Sequence, residues 1–99
     1  MLDNSHSQLH YNTNRLSRQV NMRQNIVKLG LNIKARREIL QLTQQELADL
    51  VGVSLNHIGK IEIAYSKPSL ELVIKLADTL KTTVSELCNF NFIKFYFVI

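Results

Sequence analysis

Hydrophobic positions in this 99-residue chain come in short bursts separated by single turn or capping residues, and within each burst the spacing is helical. Leu29, Ile33 and Leu40 recur at helical intervals and predict a first helix from about Lys28 to Leu40. Thr43-Gln44-Gln45-Glu46 reads as a capping box, in which the threonine oxygen and the glutamate carboxylate each satisfy the other residue's backbone N–H. A second helix therefore starts there, with Leu47, Ala48, Leu50 and Val51 as its buried stripe. Gly52 suits the left-handed residue that ends it. Ser54 caps a third helix with Ile58 and Ile61 facing inward. Pro68-Ser69 closes an irregular link and opens a fourth helix, whose inner positions are Leu72 or Val73, Leu76, Ala77 and Leu80. Thr83-Val84-Ser85-Glu86 is a second capping box and opens a short fifth helix ending near Cys88. Five helices in this span make the fold class all-α.

The two ends depart from this pattern. Residues 1–24 are rich in Asn, Gln, Ser and His and hold too little apolar surface to offset the entropy of ordering, which predicts a disordered arm. Leu16, Val20 and Val27 sit near helical spacing with Asn14 able to cap, which leaves an extra turn or two open. Residues 89–99, within "NFNFIKFYFVI", are dense in aromatic and β-branched side chains and read as an apolar C-terminal strand. A lone strand leaves backbone groups unpaired, so pairing Phe92 to Val98 with the same strand of a second chain offers a dimerisation element. Folding back onto its own domain is the alternative. The domain reading is thus an arm over 1–24, a helical domain over 25–88 and a strand over 89–99.

Charge and cysteine content narrow the function classes. Twelve Lys and Arg against eight Asp and Glu give a net charge of +4, which favours anionic partners without requiring one. Cys88 is the single cysteine, which rules out an internal disulfide and a four-thiolate metal site. It lacks a nearby base, so it is expected in the core and not as a nucleophile. His6 and His10 are four residues apart with no third ligand near in sequence, so no metal is expected. Arg15, Arg18 and Arg23 read as a solvated basic linker. With no secretory signal and no run of the roughly 20 apolar residues needed to span a bilayer, a soluble cytoplasmic protein is expected, without membrane contact. Neither a cofactor nor an enzyme activity is indicated.

Two stubby helices separated by Gly52 raise a physical question, because isolated helices under about 12 residues are marginal in water. A short helix held at an angle by another can present its N-terminal turn to a DNA major groove about 12 Å wide. At about 100° per residue, Ile61 and Glu62 fall near Ile58, while Asn56, Lys60 and Ile63 fall on the opposite side. Asn56 can pair with adenine in bidentate fashion, and Lys60 can reach guanine or a phosphate. Leu55 can meet a thymine methyl, His57 a phosphate or base, and Gly59 lets another surface come close. Gln44 and Gln45, at the positive end of the second helix, can bind phosphate. Wheel geometry alone fits an ordinary helical hairpin with solvated outer residues equally well.

Ile33, Arg37, Leu42-Thr43-Gln44, Glu46-Leu47-Ala48, Gly52-Val53-Ser54, Ile58, Glu62 and Pro68-Ser69 stand in register across Leu31 to Leu87. That stretch resembles the Cro/C1-type (XRE) helix-turn-helix family of bacterial and phage repressors. The resemblance implies a compact five-helix, lambda-repressor-like DNA-binding domain whose third helix reads the major groove. It further implies a homodimer on a two-fold related double-stranded DNA operator. Leu55, Asn56 and Lys60 would face base edges, Gln44 would bind phosphate, and Ser54 with the link Tyr65-Ser66-Lys67 would approach the backbone. Arg37 and Glu62 match a structural pair joining the first helix to the third. The chain departs from the family at Gln41, Ala64 and Lys81, where glycine is preferred at helix ends. The function this implies is a sequence-specific transcriptional regulator, a repressor or controller, located at the nucleoid. The rival reading is an antitoxin or other interaction module of the same fold, with a toxin as partner.

Overall fold

The computed structural model describes residues 22–89, and among them are five helices. Helix α1 is continuous over 22–39, α2 spans Gln44–Val51, α3 Leu55–Glu62, α4 Leu70–Thr79 and α5 Val84–Leu87. The expected arm over 1–24 and strand over 89–99 lie outside the described residues except at their inner edges. There, 22–24 already belong to α1, so the first helix begins before Lys28. A tertiary contact accounts for part of this: Arg23, expected in a solvated linker, donates from Nη1 to the carbonyl of Ala64 at 2.9 Å.

Caps set most of the boundaries. Thr43 Oγ1 accepts from the Glu46 N–H at 3.0 Å and the Thr43 N–H donates to Glu46 Oε1 at 2.8 Å, completing the box at α2. These bonds from the Thr43 backbone and hydroxyl hold the Glu46 carboxyl below its ordinary value of 4.5, against a weak opposing effect of burial. Ser54 and Ser69 cap α3 and α4 in the same way, accepting from the N–H of His57 and Leu72. At α5 only half of the predicted box forms. Thr83 Oγ1 accepts from the Glu86 N–H, while Glu86 Oε2 takes the hydroxyl of Thr82 at 2.7 Å.

All four chain reversals after α1 to α4 use a left-handed residue. Gly52 has φ 76°, but Gln41, Ala64 and Lys81 adopt φ 58°, 63° and 57° with side chains in place. Each closes the same pair of bonds that a glycine would. After α1, Gln41 N–H returns to Glu38 O and Leu42 N–H to Arg37 O. After α3 the pairs are Ala64 to Ile61 and Tyr65 to Lys60, and after α4 they are Lys81 to Asp78 and Thr82 to Ala77.

The core lies among all five helices. Ile33 of α1, Leu47, Ala48 and Val51 of α2, Ile58 and Ile61 of α3, Leu72, Val73, Leu76 and Ala77 of α4, Leu80 and Leu87 form one buried cluster. Both Leu72 and Val73 are buried, resolving the choice that the spacing left open. Leu50 is 62% exposed and does not belong to the stripe. Ala48 and Val51 fall to one side of Leu47 on the helix and Leu50 to the other, so α3 and α4 can cover only the first pair. Cys88, expected in the core, is exposed at the end of α5, because it lies about 100° round the helix from the buried Leu87.

Polar contacts seat α1 on the rest. Asn32 is buried and donates from Nδ2 to the carbonyls of Leu87 and Asn89 at 2.7 and 3.3 Å, tying the end of α5 to α1. Arg36 donates to the carbonyls of Leu80 and Lys81, covering the end of α4. Gly30 sits directly against the carbonyls of Ile61 and Glu62, where a Cβ would lie only 2.4 Å from the first oxygen.

Candidate nucleic-acid interface

The outer face of α3 follows from how its inner face is held. Ile58 and Ile61 are buried in the core and Glu62 is 4% exposed, which leaves Leu55 and Asn56 exposed on the helix's first turn and Lys60 half-buried one turn later. His57 and Gly59 are half-buried at the flanks, Ser54 is exposed at the cap, and Ile63 is 74% exposed beyond the last turn. The wheel assignment and the structure therefore agree on which residues α3 shows outward.

Glu62 anchors that orientation. Its Oε2 accepts from Arg37 Nε at 2.7 Å, and its Oε1 accepts from Arg37 Nη2 at 3.1 Å and from Gln44 Nε2 at 2.9 Å. Arg37 Nη1 also donates to the carbonyl of Leu42 at 2.8 Å. One carboxylate with a side chain 1% exposed thus joins α1, α2 and α3. Donating its hydrogen bonds to Glu62 raises the Arg37 pKa above its ordinary value, against burial and with help from the charges of Glu62 and Glu38. The two-pronged geometry of the pair limits rotation of α3 about its own axis.

The start of α2 differs in detail from the expected phosphate site. The Gln44 side chain turns in toward Glu62, and Gln45 Nε2 donates to Asp49 Oδ1 at 2.9 Å along its own helix. Thr43 takes the N–H groups of Glu46 and Leu47. Of the first-turn N–H groups of α2, those of Gln44 and Gln45 make no bond to the cap, and they lie at the positive end of the helix dipole.

Beyond α3 the link doubles back. Tyr65 and Ser66 both donate backbone N–H to the carbonyl of Lys60, at 2.8 and 3.2 Å. The Lys60 ammonium lies 5.5 Å from the centroid of the Tyr65 ring, which is 75% exposed. Ser66 is half-buried and Lys67 exposed. The structure thus brings Leu55, Asn56, Lys60, Tyr65 and Lys67 onto accessible surface around one short helix. A cavity of about 100 Å³ lined by Asn32, Arg36, Thr82, Glu86, Leu87 and Asn89 takes no residue from α2 or α3. The candidate site is a surface and not a pocket.

Four residues that seat α1 on the rest of the domain, Gly30, Asn32, Arg36 and Arg23, were not legible from the sequence in that role. Gly30 carried only a weak signal, since a helix-interior glycine costs stability and can mark tight packing, yet Gly59 has the same pattern with open space around it. Asn32 and Arg36, four residues apart, border the apolar stripe of α1, a position that suggests contact without naming the partner. Arg23 offered no local signal, because its acceptor is 41 residues away.

Residues 33–87, more than half of the chain, match the profile of the helix-turn-helix family. The chain belongs to that family, in its Cro/C1-type branch. Among curated members, the cryptic phage CTXphi transcriptional repressor RstR of Vibrio cholerae is 32% identical over 63 residues, covering 64% of this chain and 56% of RstR. Control protein C.SmaI of Serratia marcescens is 34% identical over 59 residues, covering 60% of this chain and 70% of that protein. The crystal structure of the restriction-modification controller protein C.AhdI from Aeromonas hydrophila aligns with a TM-score of 0.62 at 31% identity, covering 65% of this chain and 97% of that one. The clp gene regulator ClgR from Corynebacterium glutamicum, 24% identical with a TM-score of 0.62, shares the helix-turn-helix fold. This chain spans little more than half the length of RstR. No described helix is long and apolar enough to cross a membrane.

Proposed function

We propose that this protein is a sequence-specific DNA-binding transcriptional regulator, a repressor or controller, that reads the major groove with α3 as a homodimer. The observation that carries the reading is the outward face of α3. Asn56 and Lys60 stand one turn apart beside Leu55, while the buried Glu62 cluster fixes the rotation of the helix beneath them. Both side chains have direct chemistry with base edges, asparagine with adenine N6 and N7 and lysine with guanine O6 and N7. Family membership and the likeness to the repressor RstR, the control protein C.SmaI and the controller protein C.AhdI support it.

In this reading, phosphates on one side of the groove meet the free N–H groups of Gln44 and Gln45. The second amide hydrogen of Gln44 helps while its first stays on Glu62. Ser54, His57, Tyr65, Ser66 and Lys67 meet the backbone on the other flank. These contacts position the protein and carry no sequence information, which leaves discrimination to Leu55, Asn56 and Lys60. A two-fold dimer would place two α3 helices about one DNA turn apart. The protein would act in the cytoplasm, at the nucleoid.

In vitro selection from a random duplex library tests the proposal. The chain should enrich a sequence with two-fold symmetry. Asn56→Ala should then lose about 1–3 kcal/mol on that site and relax one base pair per half-site. Lys60→Ala should also weaken binding. Parent-like binding of the selected duplex by both variants would show that α3 is not the reader.

A further inference from the structure

We infer that Tyr65 is a positioning residue for Lys60, holding its ammonium over the aromatic ring so that the lysine meets DNA in one direction; this rests on the proposed reading of α3. The chain carries the ring to that place by a specific route. Ala64, at φ 63°, reverses the backbone immediately after α3, and its carbonyl is held from α1 by Arg23 Nη1 at 2.9 Å. The next two N–H groups, of Tyr65 and Ser66, both return to the carbonyl of Lys60 itself. The link is therefore folded back onto the residue whose side chain it controls.

The ring's position is not explained by burial. Tyrosine is a large apolar side chain that packs wherever a core will take it, yet this one is 75% exposed. The Lys60 ammonium lies 5.5 Å from the ring centroid, within the range in which the ring face attracts a cation. Lysine is otherwise a point charge on a flexible four-carbon stem. A cation free to sweep the groove contacts several bases and phosphates about equally. One held before DNA arrives favours a single acceptor, and its ordering cost on binding is lower. Tyr65 thus acts through Lys60 on base choice.

The experiment uses the full chain and the selected duplex, paired with a duplex altered at the base pair that Lys60→Ala relaxes. The ratio of the two affinities is the readout. Tyr65→Leu should lower that ratio about two- to fivefold, the equivalent of an exposed cation–ring contact. Tyr65→Phe keeps the ring face and should hold the ratio. Loss of a hydroxyl contact to phosphate would lower both affinities alike. In a Lys60→Ala background, Tyr65→Leu should leave the ratio unchanged. Before DNA is added, the Lys60 methylene protons should be shifted upfield by the ring in the parent and in Tyr65→Phe, and not in Tyr65→Leu. An unchanged ratio in Tyr65→Leu, an equal loss in Tyr65→Phe, or the same loss without Lys60 would overturn the inference. An upfield shift in a chain that selects no DNA sequence would instead defeat the reading of α3, and this inference with it.

Discussion

Gly59 and Gly30 both sit inside helices, and they should respond to the same substitution in opposite ways. A Cβ on Gly59 would meet nothing within 4 Å, so the fold gains nothing from its absence. A helix-interior glycine costs about 0.8–1.0 kcal/mol relative to alanine. Gly59→Ala should therefore raise stability by about 1 kcal/mol in urea melts, and a simultaneous drop in operator affinity would mark close approach of DNA at that point. At Gly30 the added carbon would lie 2.4 Å from the Ile61 oxygen and 2.8 Å from that of Glu62, both backbone atoms that cannot swing away. Gly30→Ala should cost about 3 kcal/mol, the upper end of ordinary overpacking. Matching melts for the two variants would mean that α1 is not seated against the end of α3.

Between helices, the controlling features are the reversals and the Glu62 cluster. Gln41, Ala64 and Lys81 close their turns in a left-handed conformation that costs a residue with a Cβ roughly 1–2 kcal/mol. Gln41 and Lys81 are exposed, so glycine there removes strain at little loss of packing. Glycine's greater freedom in the unfolded chain offsets part of the gain. Gln41→Gly and Lys81→Gly should each stabilise by about 0.5–1 kcal/mol, read as a higher urea midpoint at unchanged slope. Ala64→Gly should gain less, because its methyl is buried and worth about 0.8 kcal/mol in place. The Glu62 cluster has the opposite sensitivity. Arg37→Ala leaves a carboxylate with a side chain 1% exposed without its cation, which should cost about 3–5 kcal/mol. A small domain has little stability in excess of that, so the variant should be largely unfolded at room temperature by circular dichroism. A parent-like melt would show that the pair carries little of the fold.

For the whole molecule the relevant quantities are net charge and symmetry. An excess of four positive charges is modest, so affinity for DNA should come from cations placed along the phosphate track and not from bulk charge. Lys67, exposed in the link after α3, is one such cation. Lys67→Ala should weaken binding to all duplexes by similar factors and reduce the slope of log affinity against log salt by about 1 per protomer. A variant that keeps the parental slope would remove Lys67 from the phosphate track. The proposed two-fold dimer would add a second check, since the selected site should then show half-sites about 10 base pairs apart.

Much of this was legible locally. Caps, helix periods and the outward turn of α3 depend on neighbours within four residues, and Thr43, Ser54, Ser69 and Thr83 therefore marked helix starts that the structure also has. The family motif placed Arg37 opposite Glu62 by register alone. Other features required the assembled chain. The sequence could name Gln41, Ala64 and Lys81 as unusual at helix ends, but only the tertiary contacts decided that the left-handed turns would be kept at a cost in strain. Leu50 lies outside the core because α3 and α4 cover one side of α2, and Cys88 is exposed because the core covers the Leu87 side of α5, about 100° away. Gln44 turned from solvent toward Glu62, and Arg23 toward Ala64, because a buried carboxylate and the carbonyl of a strained turn draw donors from distant parts of the chain. Local periodicity set which residues α3 would show, and long-range hydrogen bonding determined how firmly, and at what angle, it shows them.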